Sequence, residues 1–378
     1  MQKYSKLSLI LFVSLCTGFA FIVALIIYIN DPLEIWHKSF FRKKPAYAHA
    51  RLSARAFIRD YDFNSVIIGN SHSENTSAKK AGEILGGRFF NLSISGSTMA
   101  EKSLITKYLL KHKHIDKIVY IVDSHYFNLD KNAPGYALET YSFLYDDNNF
   151  NDYRIYLNDK YIQCALSFRK ISSCVEVCNP DRPYSWDDKA FHISRFGGFE
   201  KWLDNKEHNQ VKDVLQTILS TPLEVNHNTV DDKYEEKLHD YFDEYFFKVV
   251  KENPNVKFYI VVPPVSNLQF AVWIRNNPAF EKYKLMLKYL VNEGAKYQNM
   301  EVYAFDNLDS IGKIEDFKDL THFRTWINYF ILNSIAQNNH QITPDNIDKY
   351  FKDVYNKALK EDFAGYYYKI KSTMKTPV

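Results

Sequence analysis

The run Ser65-Val66-Ile67-Ile68-Gly69-Asn70-Ser71-His72-Ser73-Glu74-Asn75-Thr76-Ser77-Ala78 decides how the rest of the chain is read. Its first four residues are β-branched and apolar enough for a buried strand. Gly69 breaks that strand, and small polar residues follow where a turn should open a helix. Ser71 in such a turn has its hydroxyl at the mouth of a sheet, beside helix-N-terminal amides able to stabilise an oxyanion. A serine there can also do no more than cap the helix.

Outward from this stretch, strands and helical patterns alternate. Ser65–Ile68, Arg88–Leu92, Lys117–Val122, Lys257–Val262 and Glu301–Phe305 are candidate strands, several of them continuous apolar runs as expected where both faces are covered. Thr98-Met99-Ala100-Glu101 reads as a capping box before Leu104, Ile105, Tyr108 and Leu109 at helical spacing. Further stripes are Tyr234, Leu238, Tyr241, Tyr245 and Val249; Phe280, Tyr283, Leu287 and Leu290; and Trp326, Ile327, Phe330 and Ile331. Each predicts a helix covering a core. The expected fold is α/β: a three-layer, doubly wound, flavodoxin-like parallel sheet of about five strands, with its site at the strands' carboxyl ends.

Residues 61–340 are assigned to this domain. Alternation fails over about 128–230, which contains Pro180-Asp181-Arg182-Pro183-Tyr184-Ser185-Trp186-Asp187-Asp188, and this stretch is expected to be a large insertion, partly helical near Tyr153–Lys170. A lid of aromatics and carboxylates would suit sugars, and a structural embellishment with its own small core is the plainer expectation. Residues 341–378 form a helical tail with Ile347, Tyr350, Phe351, Val354, Tyr355 and Ala358 on one face. Hydrophobic residues are 46%, charged residues 25%, and the net charge is +3 without a Lys/Arg block, which argues against disorder and against nucleic-acid binding.

The first thirty residues differ in kind. After a short tail, residues 1–6, an uncharged apolar run covers 7–29, long enough as a helix for roughly 35 Å, a bilayer core. It exceeds a signal peptide's apolar region and lacks a small-residue cleavage site, so an uncleaved transmembrane anchor in contact with lipid is expected. Residues 30–60 read as a juxtamembrane connector. Lys3 and Lys6 precede the span while Lys38, Arg42, Lys43 and Lys44 follow it, so the positive-inside rule taken literally leaves the large domain in the cytoplasm. Cys164, Cys174 and Cys178 cluster and allow one disulfide, but three is an odd number. The paired Cys/His spacing of zinc sites is missing, and neither metal nor cofactor is expected.

A serine nucleophile needs a base, and the base an orienting partner. Asp319-Leu320-Thr321-His322-Phe323 follows the last strand on the same carboxyl edge as Ser71, and a carboxylate three residues before a histidine can reach its ring. An aspartate capping the next turn beside an exposed histidine is the plain alternative. Phe90-Asn91-Leu92-Ser93-Ile94-Ser95-Gly96-Ser97 occupies the same edge after the second strand, where Gly96 allows close backbone approach and its amide could supply half of an oxyanion hole.

Gly69-Asn70-Ser71, Gly96 and Asp319-x-x-His322 stand in the order of the blocks of the SGNH (GDSL-like) hydrolase superfamily, and the chain resembles that superfamily over most of residues 61–336. With the anchor and Asn91-Leu92-Ser93-Ile94-Ser95-Gly96 it looks most like the membrane-anchored branch, which includes DltD-like proteins and proteins that O-acetylate exported polysaccharides. The resemblance implies Ser71 as nucleophile, His322 as base, Asp319 as its orienter, and the Ser71 and Gly96 amides as the oxyanion hole. It implies an O-acyl esterase or O-acyltransferase acting on cell-envelope or exported polysaccharide. It also implies a plasma-membrane location with the domain outside the cytoplasm, against the charge count, and a membrane-bound O-acyltransferase as partner. The sequence departs from the family in lacking Gly-x-Asn-Asp after the third strand. Val122-Asp123-Ser124-His125-Tyr126-Phe127 stands there, so Ser124 or His125 would have to replace the missing asparagine donor. A non-catalytic anchored scaffold or glycan-binding subunit is the alternative expectation.

Overall fold

The structure, a computed structural model, describes residues 2–38, 40, 46–47, 50–123, 129–133, 136–166, 176–177, 179, 181–183, 189–226, 230–276 and 278–375. Five parallel strands form its central sheet: β1 (Ser65–Ile68), β2 (Phe89–Asn91), β3 (Lys117–Ile121), β4 (Lys257–Val262) and β5 (Met300–Ala304). Their order across the sheet is β2-β1-β3-β4-β5. Ile68 lies opposite Tyr120, Val119 opposite Tyr259, and Val261 opposite Tyr303. Every residue of β1 is buried, which explains why its sequence is apolar without alternation. The result is a mixed α/β architecture.

The chain divides into two compact units. One comprises 1–61 and 137–179, the other 62–136 and 180–378. The stretch 128–230 is therefore not one body, because its two halves are tied to different parts of the chain. Within 30–60, Ala50–Asp60 is a helix whose Leu52, Ala54, Ala56, Phe57 and Ile58 are buried. Its arginines disguise an amphipathic pattern. Arg55 turns inward, pairing with Asp152 at 2.7 Å and donating to the Leu144 carbonyl at 3.0 Å. Gln2–Asn30 is one continuous helix, and its apolar part, Lys6–Asn30, is long and apolar enough to cross a membrane.

In the sheet-bearing unit the predicted capping box is present. The Thr98 hydroxyl accepts from the Glu101 amide at 3.2 Å, and the Glu101 carboxylate accepts from the Thr98 amide at 2.9 Å, opening the helix Met99–His112. The stripe expected from Tyr234 to Val249 is corrected. Tyr234, Tyr241 and Tyr245 are only half-buried, and the core face consists of Leu238, Phe242, Phe246, Phe247 and Val249. A π-helical turn over Asp243–Phe247 causes this, since its wider turn shifts the buried face by one residue. The tail helix Ile347–Lys360 buries Ile347, Tyr350, Phe351, Val354 and Ala358 within the same unit.

Candidate active site

The turn after β1 leaves no room for a side chain at position 69. A Cβ there would lie 2.0 Å from the Ser73 hydroxyl and 2.6 Å from Ile121. Asn70 then caps a single helical turn, Ser71–Glu74, its Oδ1 accepting from the His72 amide at 3.1 Å. Ser71 is the first residue of that turn and is half-buried. Its N–H is one of those that a helix start leaves without an intrahelical acceptor.

The loop after β2 is sewn to this turn. Ile94 donates its amide to the Gly69 carbonyl at 2.9 Å, and the Ser97 hydroxyl donates to the same oxygen at 3.1 Å. Asn91 donates to the carbonyls of Ser73 and Thr76 at 2.8 Å each, and the Ser73 and Ser93 hydroxyls meet at 2.7 Å. The Ser95 amide donates to the buried Glu74 carboxylate at 2.8 Å. Gly96 completes the bend with φ +63°, a left-handed conformation natural to glycine. Among the described residues neither the Ser71 nor the Gly96 amide donates to a protein acceptor.

The base arrives on the loop beyond β5. Ser266 pins this loop, its amide and hydroxyl donating to the Leu320 carbonyl at 3.0 and 2.8 Å. Lys318 donates its amide to the His322 carbonyl at 3.0 Å, which folds Lys318–His322 into a tight turn. Within it the His322 Nδ1 lies 2.9 Å from both Asp319 oxygens, and Nε2 lies 2.9 Å from the Ser71 hydroxyl. A carboxylate at Nδ1 selects the tautomer protonated there, leaving the Nε2 lone pair facing Ser71. Asp319 Oδ1 also accepts from the amides of Thr321 and His322 at 3.0 and 2.8 Å. Ser71 and the pair Asp319 and His322, predicted from two distant segments, are thus brought together, with Gly96 on the loop stitched to the serine turn. Ser124 and His125 lie outside the described residues.

Electrostatics separate the partners. Burial pushes the Asp319 carboxyl up, but His322 and the ammonium of Lys318 outweigh it and hold Asp319 well below the usual range. Burial depresses the His322 imidazole, Asp319 opposes this, and Lys318 and His72 add to the fall, which reaches about 4. At neutral pH the pair is therefore a carboxylate and an uncharged base.

Several neighbours of the site escaped sequence reasoning. Lys318 is fully buried, 3.2 Å from Asp319 Oδ2 and 3.4 Å from the side-chain oxygen of Gln210, to which buried Arg195 also donates at 2.7 Å. His72 stacks on His322 with ring centroids 5.1 Å apart, and its Nδ1 lies 3.5 Å from Asp123. Asp123 also accepts from the Asn70 side-chain amide. His72 and Lys318 each adjoin a predicted triad residue in sequence, a signal that was available. Nothing local points to Gln210 or Arg195. Among the described residues no group of three or more His, Cys, Asp and Glu could hold a metal ion.

No protein-family model matches the chain, and no curated protein sequence matches it. Among solved structures, a chain from Streptococcus pneumonia described as a candidate platelet activating factor is similar over 85% of this chain and 97% of its own, with 14% identity and a TM-score of 0.33. That likeness is too slight to assign a fold or an activity.

Proposed function

We propose that the protein is a membrane-anchored serine acyl-transfer enzyme of the SGNH type. The observation that carries this reading is the unbroken relay from Ser71 Oγ through His322 to Asp319, each step 2.9 Å long. The strand order supports it, since β2-β1-β3-β4-β5 is the flavodoxin-like, doubly wound order whose sites lie at the strands' carboxyl ends.

In the reaction, Ser71 Oγ attacks the carbonyl carbon of an ester while its proton passes to His322 Nε2. The tetrahedral oxyanion is stabilised by the Ser71 and Gly96 amides. Collapse breaks the bond to the leaving oxygen, which takes the proton from His322 and departs as an alcohol, leaving acyl-serine. Water or a sugar hydroxyl then repeats the sequence in reverse, giving an acid or a new ester. Asp319 keeps His322 in the working tautomer and stabilises the imidazolium that forms. The acceptor class, cell-envelope or exported polysaccharide, and a membrane-bound O-acyltransferase donor rest on the family resemblance alone.

Two features support a plasma-membrane anchor with the folded units outside the cytoplasm. The helix Lys6–Asn30 has the length and composition of a span. Cys164 is disulfide-bonded, and disulfides belong to oxidising compartments.

The test uses the full-length protein, an activated acetyl ester and a fluorophosphonate probe. Wild type should label and turn over, and Ser71→Ala and His322→Ala should each lose activity by about 10⁴-fold or more. A folded wild type that neither labels nor turns over would overturn the reading in favour of a non-catalytic scaffold.

A further inference from the structure

We propose that the segment Phe150–Leu157, beside the foot of the apolar helix, is a second membrane contact that lies in the interfacial layer of the leaflet from which the helix emerges. This rests on the reading of that helix as an anchor.

Position is the first ground. The helix ends at Asn30, whose side-chain amide donates to the Ala165 carbonyl. Asp31 is fully buried, and its Oδ1 accepts from the Tyr156 hydroxyl at 2.6 Å and from the Ile35 amide at 3.0 Å. Tyr156 in turn accepts from the Leu33 amide at 3.2 Å and packs on Trp36 with centroids 5.3 Å apart. Residues 152–166 are therefore fastened to the last turn of the helix and to the six residues after it, at the level where an anchor leaves the hydrocarbon. Arg55 fixes the same segment from behind through buried Asp152.

Exposure is the second. Among the described residues beyond the apolar helix, five large apolar side chains are more than half exposed: Phe40, Phe150, Tyr153, Leu157 and Tyr368. Four of the five belong to the unit that carries the helix. Phe150 is 92% exposed and Leu157 73%, values that water alone does not favour for a cluster of this kind. Asp152–Tyr156 is a 3₁₀ turn. Within this turn Tyr156 is buried against the helix foot while Tyr153, one turn earlier, is 55% exposed.

Composition is the third. Tyrosine and tryptophan rings with an apolar body and a polar tip concentrate at bilayer interfaces. Here Tyr28 and Trp36, 5.7 Å apart, flank the exit point of one helix, and exposed Tyr153 belongs to the turn whose Tyr156 packs on Trp36. The occupant that fits is the headgroup and upper acyl-chain layer of the bilayer itself. Such a contact would add a second point of attachment and so restrict rotation of this unit about the anchor.

The test is fluorescence of the full chain in nanodiscs of ordinary or brominated-chain lipid, with Phe150→Trp, Leu157→Trp, Phe12→Trp and Tyr368→Trp each compared with wild type. The first two sites are so exposed that tryptophan fits without repacking. The added emission at positions 150 and 157 should be largely quenched by brominated lipid, as at 12, with that at 368, an exposed aromatic of the other unit, as the comparison. Unquenched 150 and 157 with a quenched 12 would overturn the proposal while leaving the anchor intact. If 12 were unquenched too, the anchor reading would fall and this one with it. Emission at 150 and 157 that ignores brominated lipid but becomes shielded from iodide as protein concentration rises would give the surface to a second copy of the chain, and would also overturn the proposal.

Discussion

Two buried aspartates in the sheet-bearing unit, Asp319 and Asp306, show how surroundings divide one residue type between two tasks. Asp319 meets an ammonium, an imidazole and two backbone amides, and stays ionised well below the usual carboxylate range. Asp306, just beyond β5, meets the Val265 amide at 2.9 Å and the hydroxyls of Tyr350 and Tyr283 at 2.9 and 3.3 Å. Burial pushes Asp306 up to about 6, despite those donors and Lys357. The first is built to hold a base and face a developing positive charge. The second ties the tail helix Ile347–Lys360 and the helix Ala279–Gly294 to the sheet edge, and its charge is a burden there. A carboxylate's hydrogen-bond count does not distinguish them; where the cation sits does, since Lys318 touches the Asp319 carboxylate at 3.2 Å while Lys357 donates to the backbone carbonyl of Asp306 at 3.0 Å.

The largest effect is expected at the first aspartate. Asp319→Asn keeps the shape but offers His322 Nδ1 an amide, which favours the wrong tautomer. Labelling of Ser71 by the fluorophosphonate should fall by about 10⁴-fold while the protein remains folded. An unchanged rate would show that the Ser71–His322 pair works without an orienter, and the contrast with Asp306 would lose its functional meaning.

Lys318 sharpens the same comparison. Replacing it by Met removes the cation in contact with the Asp319 carboxylate, and breaking a buried pair in this way costs about 3–5 kcal/mol of stability. Urea unfolding measures that loss. His322 is faced by Asp319 and Lys318 from its own loop and by His72, with Asp123 behind it, from the serine turn. Of these, Lys318 and His72 depress it. The acid limb of labelling should therefore move up from about 4 towards 6.5 in Lys318→Met and stay near the wild-type position in Lys318→Arg. An acid limb unmoved in a folded Lys318→Met protein would assign the lysine to packing alone.

These neighbours also mark how far the sequence could be read. The five strands were legible because parallel strands buried on both faces leave continuous apolar runs, as Val66-Ile67-Ile68 and Ile118-Val119-Tyr120-Ile121 do. The meeting of Ser71 with His322 was legible because the carboxyl edge of such a sheet gathers distant loops. Residues 128–230 were not, since their two halves fold with different partners, and an arginine turned inward, as Arg55 is, reads as surface. Arg195 and Gln210 behind Lys318 follow from the same limitation: polar groups that satisfy one another across long separations leave no periodic trace. The π turn at Asp243–Phe247 shifted a stripe whose spacing alone looked regular.

Asp306 gives the smallest effect and the sharpest sign. Its folded value of about 6 lies above the ordinary 3.8. The folded state therefore binds the proton more tightly than the unfolded chain between those values. Stability from this group is full below about 3.8, declines as pH rises through about 6, and is flat above it, a loss of about 3 kcal/mol at the extreme. Asp319 has the opposite sign, because its folded value is depressed: its contribution is present above the ordinary value and is lost as pH falls through the folded one. Asp306→Asn keeps an oxygen for the Val265 amide and presents an amide donor to tyrosine hydroxyls that can accept. The variant should thus be less stable than wild type near pH 4 and should gain on it by up to about 3 kcal/mol by pH 7 in paired urea titrations. A stability difference that stays constant between those pH values would mean that Asp306 titrates alike in the folded and unfolded chain, and the two aspartates would then differ in their neighbours but not in their charge.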